Sequence, residues 1–449
     1  MTWSLMAFLH GFGETSIQKQ RLCDARMFVR SNEETMFTTD QNDSEIAEIA
    51  VTAPSRPPAS PASPWPVFAP DEIEAVSRVI SSGKVNYWTG DEGRQFEREF
   101  AAFVGARHAV ALANGSVAIE CALKALGVGP GDEVITTSRT FIASASSAVM
   151  VGAKPVFADI DRESQNITAE TIRAALTPKT KAIVAVHLAG WPCAIGPILD
   201  IAREYGVKVI EDCAQAHGAT WNGRMAGSFG DVAAFSFCQD KIMTTLGEGG
   251  MVTTDSEELW NAMWSLKDHG KSYDTVYHRQ HAPGFRWLHE SFGTNWRLTE
   301  VQSAVGRMHL RKLPDWLATR RRHAAVLTEG FSSIPGLRVT CPPAEVGHAY
   351  YKYYVFLRPE LLRTGWDRSR IIAEVNARGV NCQSGSCSEI YLEKAFPPEM
   401  RPPCHLKVAR ELGATSLMFL VHPPLREADM HRICHVVAEV MALAVESGV

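Results

Sequence analysis

The sequence has few of the features that mark membrane-spanning, secreted or nucleic-acid-binding proteins. No run of about eighteen apolar residues occurs in the chain, which argues against a transmembrane helix. The opening residues lack the basic region and the small-residue cleavage site of a secretory signal peptide. The net charge of −5 gives no global basic excess for binding a phosphate backbone. We therefore expect a cytoplasmic protein that acts on small molecules, with neither nucleic acid nor membrane as a partner.

The spacing of the cysteines does not suggest that they form pairs. The ten cysteines are scattered, and the sequence contains neither a CxxC pair nor a paired cluster of cysteine and histidine. Such spacing is typical of buried thiols in a reducing compartment rather than of a disulfide framework. We therefore expect no metal site.

The first 64 residues differ in composition from the rest of the chain. Residues 1 to about 53 are polar and aperiodic, and they lead into the tract PSRPPASPASPWP at residues 54–66, which packs poorly as helix or sheet. Residues 1–64 are therefore predicted to be a disordered tail and proline-rich linker. Helical spacing begins at residue 71 with DEIEAVSRVISSG, so the folded part is predicted to start near residue 65.

Short apolar runs alternate with helix-length segments in the first part of the folded chain. They predict strands at 108–113, 133–138, 154–160, 181–188, 207–213, 232–237 and 250–254. Apolar strands separated by helices predict an α/β fold whose largely parallel sheet is covered on both faces. Ligands of such sheets bind beyond the carboxyl ends of the strands.

The second part of the folded chain opens with a long helix. This helix is predicted from about Thr299 to Phe331, with a break near Pro314. Composition then shifts to a strand at 352–357 and two further helices. We therefore predict a large domain over residues 65–315 and a smaller C-terminal α/β domain over residues 316–449.

Charged residues stand near the ends of two predicted strands, where packing does not require them. Lys241 lies four residues beyond the strand 232–237, and Glu211 and Asp212 lie at the carboxyl end of the strand 207–213. Pyridoxal phosphate chemistry needs a lysine amine to hold the aldehyde and a carboxylate to keep the pyridine nitrogen protonated. Taken alone, Lys241 also fits a solvated loop lysine and Asp212 a turn cap, so both interpretations stay open at this point.

A strand-to-helix junction offers a place for a phosphate. The run HAVALANGSVAIECALKAL at residues 108–126 reads as a strand, then Asn114-Gly115-Ser116, then a helix. Free backbone N–H groups and a hydroxyl would thus lie at a helix N-terminus, where an anion is favoured. Ser236, near the end of the strand before Lys241, adds a second hydroxyl. Dinucleotide binding is not supported, because no GxGxxG follows a strand.

Three spaced motifs together resemble a known family. They are EDCAQAHGATWNGRMAGSFGDVAAFSFCQDKIMTTLGEGGMV at residues 211–252, ANGSVAIECALKALGVGPGDEVITTSRTF upstream and NWRLTEVQSAVG downstream. Their order is that of the DegT/DnrJ/StrS family of sugar aminotransferases, which the sequence resembles from about residue 65 to its C-terminus. The resemblance implies a fold type I, aspartate aminotransferase-like enzyme that uses pyridoxal 5'-phosphate, with a large cofactor-binding domain and a smaller C-terminal domain.

The resemblance also implies roles around the cofactor ring. Lys241 would be the Schiff-base lysine and Asp212 the partner of the pyridine nitrogen, and both would be catalytic. Gln215 would lie near the phenolic oxygen, and Phe141 would stack on the ring. His217 lies in the AQAHGA motif and fits either a site role or a packing role.

For the cofactor phosphate, the resemblance implies contacts from two subunits. Gly115, Ser116 and Ser236 would hold the phosphate from one chain. Asn295, in the NWRLTE motif, would reach the phosphate of the neighbouring subunit, because family members build each site across a dimer interface. A homodimer with shared active sites is therefore expected.

The sequence departs from the family pattern at two places. The spacing between Lys241 and the GEGG turn is one residue longer than usual, so Leu246 looks like an insertion in this loop. The segment HLAGWPCAIGPI lacks the aspartates often found where Ala194 and Gly196 stand, which leaves the role of that loop open. Neither departure touches the lysine.

The function implied is that of a transaminase acting on a sugar. An amino group would pass from an amino acid, with L-glutamate expected, to a keto carbon of a nucleotide-activated deoxysugar, for surface polysaccharide or related amino-sugar biosynthesis. In the family's dehydrating branch a histidine replaces the lysine, so Lys241 favours amino transfer. Two alternatives stay open: amino transfer to a cyclitol or other small keto substrate, and a non-catalytic regulatory protein that binds the cofactor.

Overall fold

Residues 65–446 are the part of the chain that the structure, a computed structural model, describes. The tail and linker predicted over residues 1–64 lie outside the described residues. Trp65, where the large domain was predicted to begin, is the first described residue.

A seven-stranded sheet forms the centre of the chain before the long helix. Among the described residues, nine strands precede the long helix, and all of them except β6 and β7 belong to this sheet. In chain order they are β1 (His108–Leu112), β2 (Glu133–Thr137), β3 (Lys154–Ala158), β4 (Thr180–Val186), β5 (Lys208–Asp212), β6 (Thr220–Trp221), β7 (Arg224–Met225), β8 (Val232–Ser236) and β9 (Gly250–Thr254). The sheet order is β1-β9-β8-β5-β4-β2-β3, and β6 and β7 form a separate hairpin. In this sheet β9 runs in the direction opposite to the other six strands, so the predicted, largely parallel sheet is confirmed.

Helices cover both faces of this sheet. They are α1 (Pro70–Ser82), α2 (Glu92–Val104), α3 (Gly115–Ala125), α4 (Ala143–Met150), α5 (Ala169–Ala175), α6 (Ile195–Tyr205), α7 (Glu257–Lys267), α8 (Tyr273–Tyr277) and α9 (Glu300–Ser332). One apolar cluster joins α2 and α9 to Phe235 and Phe237, while another joins α3 and α7 to the opposite face. This double cover explains why the strands are apolar on both faces. Within residues 65–446 no helix combines the length and apolar character needed to cross a bilayer.

The long helix α9 is continuous. Thr299 caps its N-terminus by accepting a hydrogen bond from the Gln302 N–H. The predicted break near Pro314 is wrong, because Leu313 and Leu317 on either side of the proline are buried in the same apolar cluster. Packing along this face offsets the one backbone hydrogen bond that a proline removes. The predicted boundary between residues 315 and 316 falls inside α9, and the division into two domains stays a prediction.

The chain after α9 builds a second, smaller sheet with its own core. Its strands and helices are β10 (Leu337–Val339), β11 (Val346–Gly347), β12 (Tyr353–Leu357), α10 (Arg368–Ala377), β13 (Cys382–Gln383), α11 (Lys407–Thr415), β14 (Ser416–Phe419) and α12 (Glu427–Ala444). The strands β10, β12, β14 and β13 pair antiparallel in that order, and β11 pairs with β6. The predicted strand at 352–357 and both predicted helices are present.

Candidate active site

The carboxyl ends of β5 and β8 bring two of the predicted site residues together. These strands are parallel neighbours, and Asp212 pairs with Ala234. Side chains alternate between the two faces of a sheet, so Asp212 and Ser236 lie on the same face. That face is the one covered by α3, whose N-terminus carries Gly115 and Ser116. The predicted phosphate residues therefore lie beside the predicted pyridine partner.

Two glycines allow the backbone segments at this edge to approach closely. A Cβ atom on Gly115 would lie 2.6 Å from the Ser236 Cβ, and one on Gly250 would lie 2.3 Å from the Asn114 carbonyl oxygen. The Asn114 side chain caps α3 by accepting the Val117 N–H at 3.0 Å. The junction is thus a narrow cradle at a helix N-terminus, where backbone N–H groups favour an anion.

The Asp212 carboxylate is buried and oriented by the protein. Only 4% of the residue is exposed. Ser144 donates its hydroxyl to Oδ2 at 2.7 Å, and the Ala214 N–H donates to Oδ1 at 3.1 Å. The Ser144 hydroxyl also lies 2.9 Å from Thr140 Oγ1. Phe141, between Thr140 and α4, is 66% exposed and free to cover a ligand held at this edge. Because a carboxylate offers about four acceptor positions, Asp212 keeps capacity for a donor outside the chain.

Glu211, the neighbouring acid, lies on the other face of the sheet and is already saturated. One oxygen lies 3.0 Å from His187 Nε2 and accepts the Gly227 N–H, while the other accepts the N–H groups of Phe229 and Gly230. Cys213 lies close enough to complete a metal-sized group with His187 and Glu211. Burial raises the pKa of the Cys213 thiol to about 12, however, and the carboxylate is satisfied by the protein. The contacts of His187, Glu211 and Cys213 therefore indicate a structural role rather than a metal site.

Lys241 stands on a tight turn after β8. Its N–H donates to the Cys238 carbonyl at 3.0 Å, and its own carbonyl accepts the Trp65 Nε1–H at 2.8 Å. The ammonium lies 3.8 Å from Asp240 Oδ1 and 5.0 Å from the centroid of the Tyr351 ring. The Tyr351 hydroxyl donates to Asp240. These contacts hold the lysine, which is 16% exposed, in a definite orientation.

Gln215 and His217 lie in the segment after β5. Gln215 is buried, and its Oε1 accepts the Ala189 N–H at 2.8 Å; the Ala189 carbonyl accepts the Tyr351 N–H. His217 is 1% exposed and packs against the rings of Phe235 and Phe237. Burial, reinforced by the charge of Lys241, lowers the pKa of His217 to about 3, so the imidazole is neutral. Neither of its ring nitrogens has a hydrogen-bond partner among the described residues.

Asn295 lies near the phosphate cradle of its own chain. The Trp296 carbonyl accepts the Ala113 N–H at 2.8 Å, and Arg297 forms a bridge with Leu112 at the end of β1. The Asn295 residue is exposed. The structure describes a single chain, so the contact with a neighbouring subunit stays a prediction.

The structure shows the local geometry at the two departures from the family pattern. Leu246 adopts a left-handed backbone conformation with φ of 62°, which is unusual for a leucine and costs about 1 kcal/mol. At position 196, a Cβ would lie 2.5 Å from Trp221 Cη2, so the close contact with the indole favours glycine. In the preceding loop, the Ala189 N–H donates to Gln215 Oε1 and the Ala189 carbonyl accepts the Tyr351 N–H.

Four residues with direct site contacts escaped the sequence analysis. Trp65, Ser144, Asp240 and Tyr351 contact Lys241 or Asp212 as described above. Asp240 carried a signal, since it directly precedes Lys241. The others are far from these residues in sequence, with 68 positions between Ser144 and Asp212 for example, so no local pattern pointed to them.

The assembled residues fit pyridoxal phosphate. The Gly115–Ser236 cradle suits the phosphate, and the unsaturated Asp212 carboxylate suits a pyridinium N–H. A buried carboxylate with unused acceptor positions favours a bound donor, because buried polar groups are normally paired. His217 packs on Phe235 and Phe237 on the opposite face of the sheet, which favours a packing role for it.

Comparison with known proteins gives the family. The sequence profile of the DegT/DnrJ/EryC1/StrS aminotransferase family matches residues 67–438. The GDP-perosamine synthase of Caulobacter vibrioides is 37% identical over 365 residues, which are 79% of this chain and 92% of that protein. The UDP-N-acetyl-3-dehydro-alpha-D-glucosamine 3-aminotransferase of Acidithiobacillus ferrooxidans is 36% identical over 381 residues, 82% of this chain and 94% of that one. The crystal structure of an aminotransferase from Psychrobacter cryohalolentis superposes with a TM-score of 0.84 at 54% identity, covering 85% of this chain and 99% of its own.

Proposed function

Because the chain belongs to the DegT/DnrJ/EryC1/StrS aminotransferase family, and is an aminotransferase, we propose that it uses pyridoxal 5'-phosphate to move an amino group from L-glutamate to a keto nucleotide-sugar. The two curated relatives named above carry a GDP-linked and a UDP-linked sugar in their names, which supports a nucleotide-sugar over a cyclitol or a small keto acid. The product would serve polysaccharide or related amino-sugar biosynthesis.

The observation that carries this proposal is the arrangement at the ends of β5 and β8. A phosphate cradle at Gly115 and Ser236 shares one face of the sheet with the unsaturated Asp212 carboxylate. When bound, the cofactor supplies an electron-withdrawing ring that stabilises negative charge on the amino carbon. We propose that the N-terminus of α3 binds its phosphate, with Ser116 adding a hydroxyl, and that Asp212 accepts a hydrogen bond from the pyridine nitrogen.

Further side chains would orient the ring and move the proton. Phe141 would stack on the ring, and the Gln215 amide would face the phenolic oxygen. Lys241 would hold the cofactor, and its released amine would take the proton from the amino carbon of the donor and return it on the other side of the transfer. Asp240 and Tyr351 would keep the amine pointing into the site. The neutral His217 cannot compete for that proton as a strong base, since its pKa is about 3.

The test is a panel of keto nucleotide-sugars incubated with the purified enzyme and L-glutamate. Formation of one amino sugar in proportion to 2-oxoglutarate supports the proposal, and a Lys241→Ala variant should form none. If glutamate changes the absorbance of the bound cofactor but no nucleotide-sugar is aminated while a keto cyclitol is, the acceptor class is wrong. A protein whose cofactor spectrum does not respond to any amino acid would support the non-catalytic, regulatory alternative.

We further propose a homodimer in which Asn295 completes the site of the partner subunit. Three aromatic residues on the segment between α8 and α9 support an interface there, since Phe285, Trp287 and Phe292 are 79%, 82% and 99% exposed. Within this segment, residues 279–294 contain neither helix nor strand.

Mixed chains can test this shared site. A Lys241→Ala chain and an Asn295→Asp chain should each be weakly active or inactive, and mixing them should restore activity, because one site per heterodimer then has both native residues. Asn295 also lies near the phosphate cradle of its own chain, so a failure to restore activity can be interpreted. If subunits exchange and no activity returns, Asn295 serves the site of its own chain.

A cytoplasmic location is part of the proposal. Its support is chemical: the nine cysteines of the described residues are all free thiols, as expected in a reducing compartment. Fractionation of cells that express the protein would test it.

A further inference from the structure

A second lysine shares the aromatic face beside Lys241. The Lys352 ammonium lies 4.6 Å from the centroid of the Tyr351 ring, on which Lys241 also sits at 5.0 Å. Asp240 stands between the two lysines, with Oδ2 3.9 Å from Lys352 Nζ and Oδ1 3.8 Å from Lys241 Nζ. Both distances exceed a hydrogen bond, so Asp240 balances the two charges without binding either closely.

Behind this pair lies a buried arginine that has no acidic partner. Arg320 is 1% exposed, and its Nη1 donates to the carbonyls of Tyr350 and Tyr351. Its Nε has no partner, and no carboxylate within residues 65–446 lies at ion-pair distance from it. Burial lowers the pKa of Arg320 to about 9. A buried cation without a counter-ion is costly, which indicates that this place accepts an anion.

The local charge balance favours the same conclusion. Lys241, Lys352 and Arg320 are three cationic groups, and within residues 65–446 Asp240 is the one carboxylate that lies within 4 Å of either lysine ammonium. Burial, helped by the charges of Arg320 and Lys241 and opposed by Asp240, lowers the pKa of Lys352 to about 8. The side chain of Lys352 is 18% exposed, so an incoming group can reach its ammonium. Three positive charges and one negative charge leave a net charge of +2, so a negatively charged ligand at this place would be favoured.

The chemistry of amino transfer identifies which anion comes close to Lys241. The donor nitrogen must reach the atom that Lys241 leaves, and in an α-amino acid the carboxylate carbon lies about 2.5 Å from that nitrogen. The diphosphate of a nucleotide-sugar is separated from its keto carbon by part of the sugar ring and therefore lies farther away. An anion site next to Lys241 thus suits the carboxylate of the donor.

We propose that Lys352, backed by Arg320, binds the carboxylate of the amino-acid donor beside Lys241. The proposal rests on the transamination proposed above. Asp240, whose side chain is 56% exposed, then has a defined task. It stays beside Lys352 when the sugar ring occupies the site and yields the ammonium to the donor carboxylate when the amino acid enters. One site can in this way accept the amino acid and the sugar ring in turn.

Binding of an unreactive diacid separates this proposal from the proposed function. Maleate is titrated into the holoenzyme by calorimetry for the wild type, Lys352→Gln, Lys352→Arg and the control Lys208→Gln. Lys208 is a suitable control because it pairs with Asp231 at 2.9 Å at the opposite end of β5. We expect the dissociation constant of maleate to rise about 10- to 100-fold in Lys352→Gln, as for the loss of a charged hydrogen bond, and to stay within about threefold in the two others.

The two half-reactions then show which substrate Lys352 serves. In Lys352→Gln the apparent dissociation constant of L-glutamate, read from the cofactor absorbance, should rise by a similar factor, while the KM of the keto nucleotide-sugar changes less than about threefold. If only the binding of the nucleotide-sugar became weaker, Lys352 would be a contact of its diphosphate, and the proposal would be overturned. Unchanged maleate and glutamate binding would overturn it as well. If maleate binding responds as expected but no nucleotide-sugar is aminated, the carboxylate site stands and the proposed acceptor fails.

Discussion

Glu211 and Asp212 are neighbours at the end of β5, yet their side chains meet opposite surroundings. The Glu211 carboxylate accepts hydrogen bonds from three backbone N–H groups and lies 3.0 Å from the His187 ring nitrogen, all within its own chain. Asp212 accepts one hydroxyl and one N–H and keeps unused acceptor positions. The side chain of Glu211 stabilises the loop at residues 227–230, whereas Asp212 can accept a further hydrogen bond. Saturation by the protein thus separates the structural acid from the acid that we propose binds the cofactor.

One buried lysine and one half-buried lysine show the same contrast. Lys267 is 0% exposed, lies 3.3 Å from Glu97 and packs over the Tyr87 ring, so its charge is compensated inside the fold. Lys352 shares one distant carboxylate with Lys241. The compensated lysine needs no ligand, whereas the other cluster has a positive charge left over for one.

The largest effect is expected at the open site, from Lys241→Ala. Activity should fall more than about 1,000-fold, because the chemistry needs this amine, while the free energy of unfolding should change by less than about 1 kcal/mol. Borohydride reduction of the wild type followed by peptide mapping should find the cofactor on Lys241. Attachment to another lysine would remove this residue from its role, and Lys208→Ala is the control for loss of a lysine as such.

Asp212→Ala comes next. We expect turnover to fall about 100- to 1,000-fold with most of the cofactor retained, because the ring loses its charge partner while the phosphate stays anchored. Turnover and cofactor content measured on the same preparation test this. A variant with near-native turnover would show that the unsaturated acceptors of Asp212 serve no ligand.

Glu211→Gln should show the reverse pattern. Replacing one acceptor oxygen by an NH₂ group sets donor against donor in a buried network, so the free energy of unfolding should fall by about 2–3 kcal/mol. Activity per folded molecule should stay within about threefold of wild type. Denaturant unfolding measures the free energy of unfolding, and kcat at low temperature measures the activity per folded molecule. A loss of activity without a loss of stability would reverse the comparison between the two acids.

A smaller effect is expected in the pH dependence of maleate binding. Lys352 faces Asp240, Tyr351, Arg320 and Lys241, and its pKa is lowered to about 8. A lowered lysine pKa means that the charge is lost as pH rises through that value, so affinity should fall several-fold from pH 7 to pH 9. Lys352→Arg should keep its affinity over this range. An equal decline in both proteins would assign the effect to another group.

The smallest effect is expected from removing residues 1–60, which were predicted to be a tail. Activity should stay within about twofold, because disordered tails seldom complete a core. Removing residues 1–66 also removes Trp65, whose indole donates to the Lys241 carbonyl at 2.8 Å, and should lower kcat severalfold. Equal activity of both truncations would show that this contact does not position the lysine, and inactivity of the shorter deletion would show that the tail is needed.

The sequence by itself determined the main strands of the large sheet and the family. Strands such as β5 and β8 follow from local runs of apolar residues, and the order of motifs identified the family, from which the roles of Lys241 and Asp212 are predicted. Apolar runs are local in the sequence, and the order of motifs can be read without knowing which residues are in contact. The long helix shows the limit of local rules, since Pro314 predicts a break and packing on both sides of it keeps the helix whole.

Only the tertiary structure decided how each charged group is compensated. Glu211 and Asp212 are adjacent acids in the sequence, and alternation along β5 sends one into a saturated brace and the other toward the α3 face. Ser144 reaches Asp212 across 68 positions, and Tyr351 reaches Asp240 across 111. The cost of burying a charge depends on these distant partners, which packing alone brings within hydrogen-bonding distance.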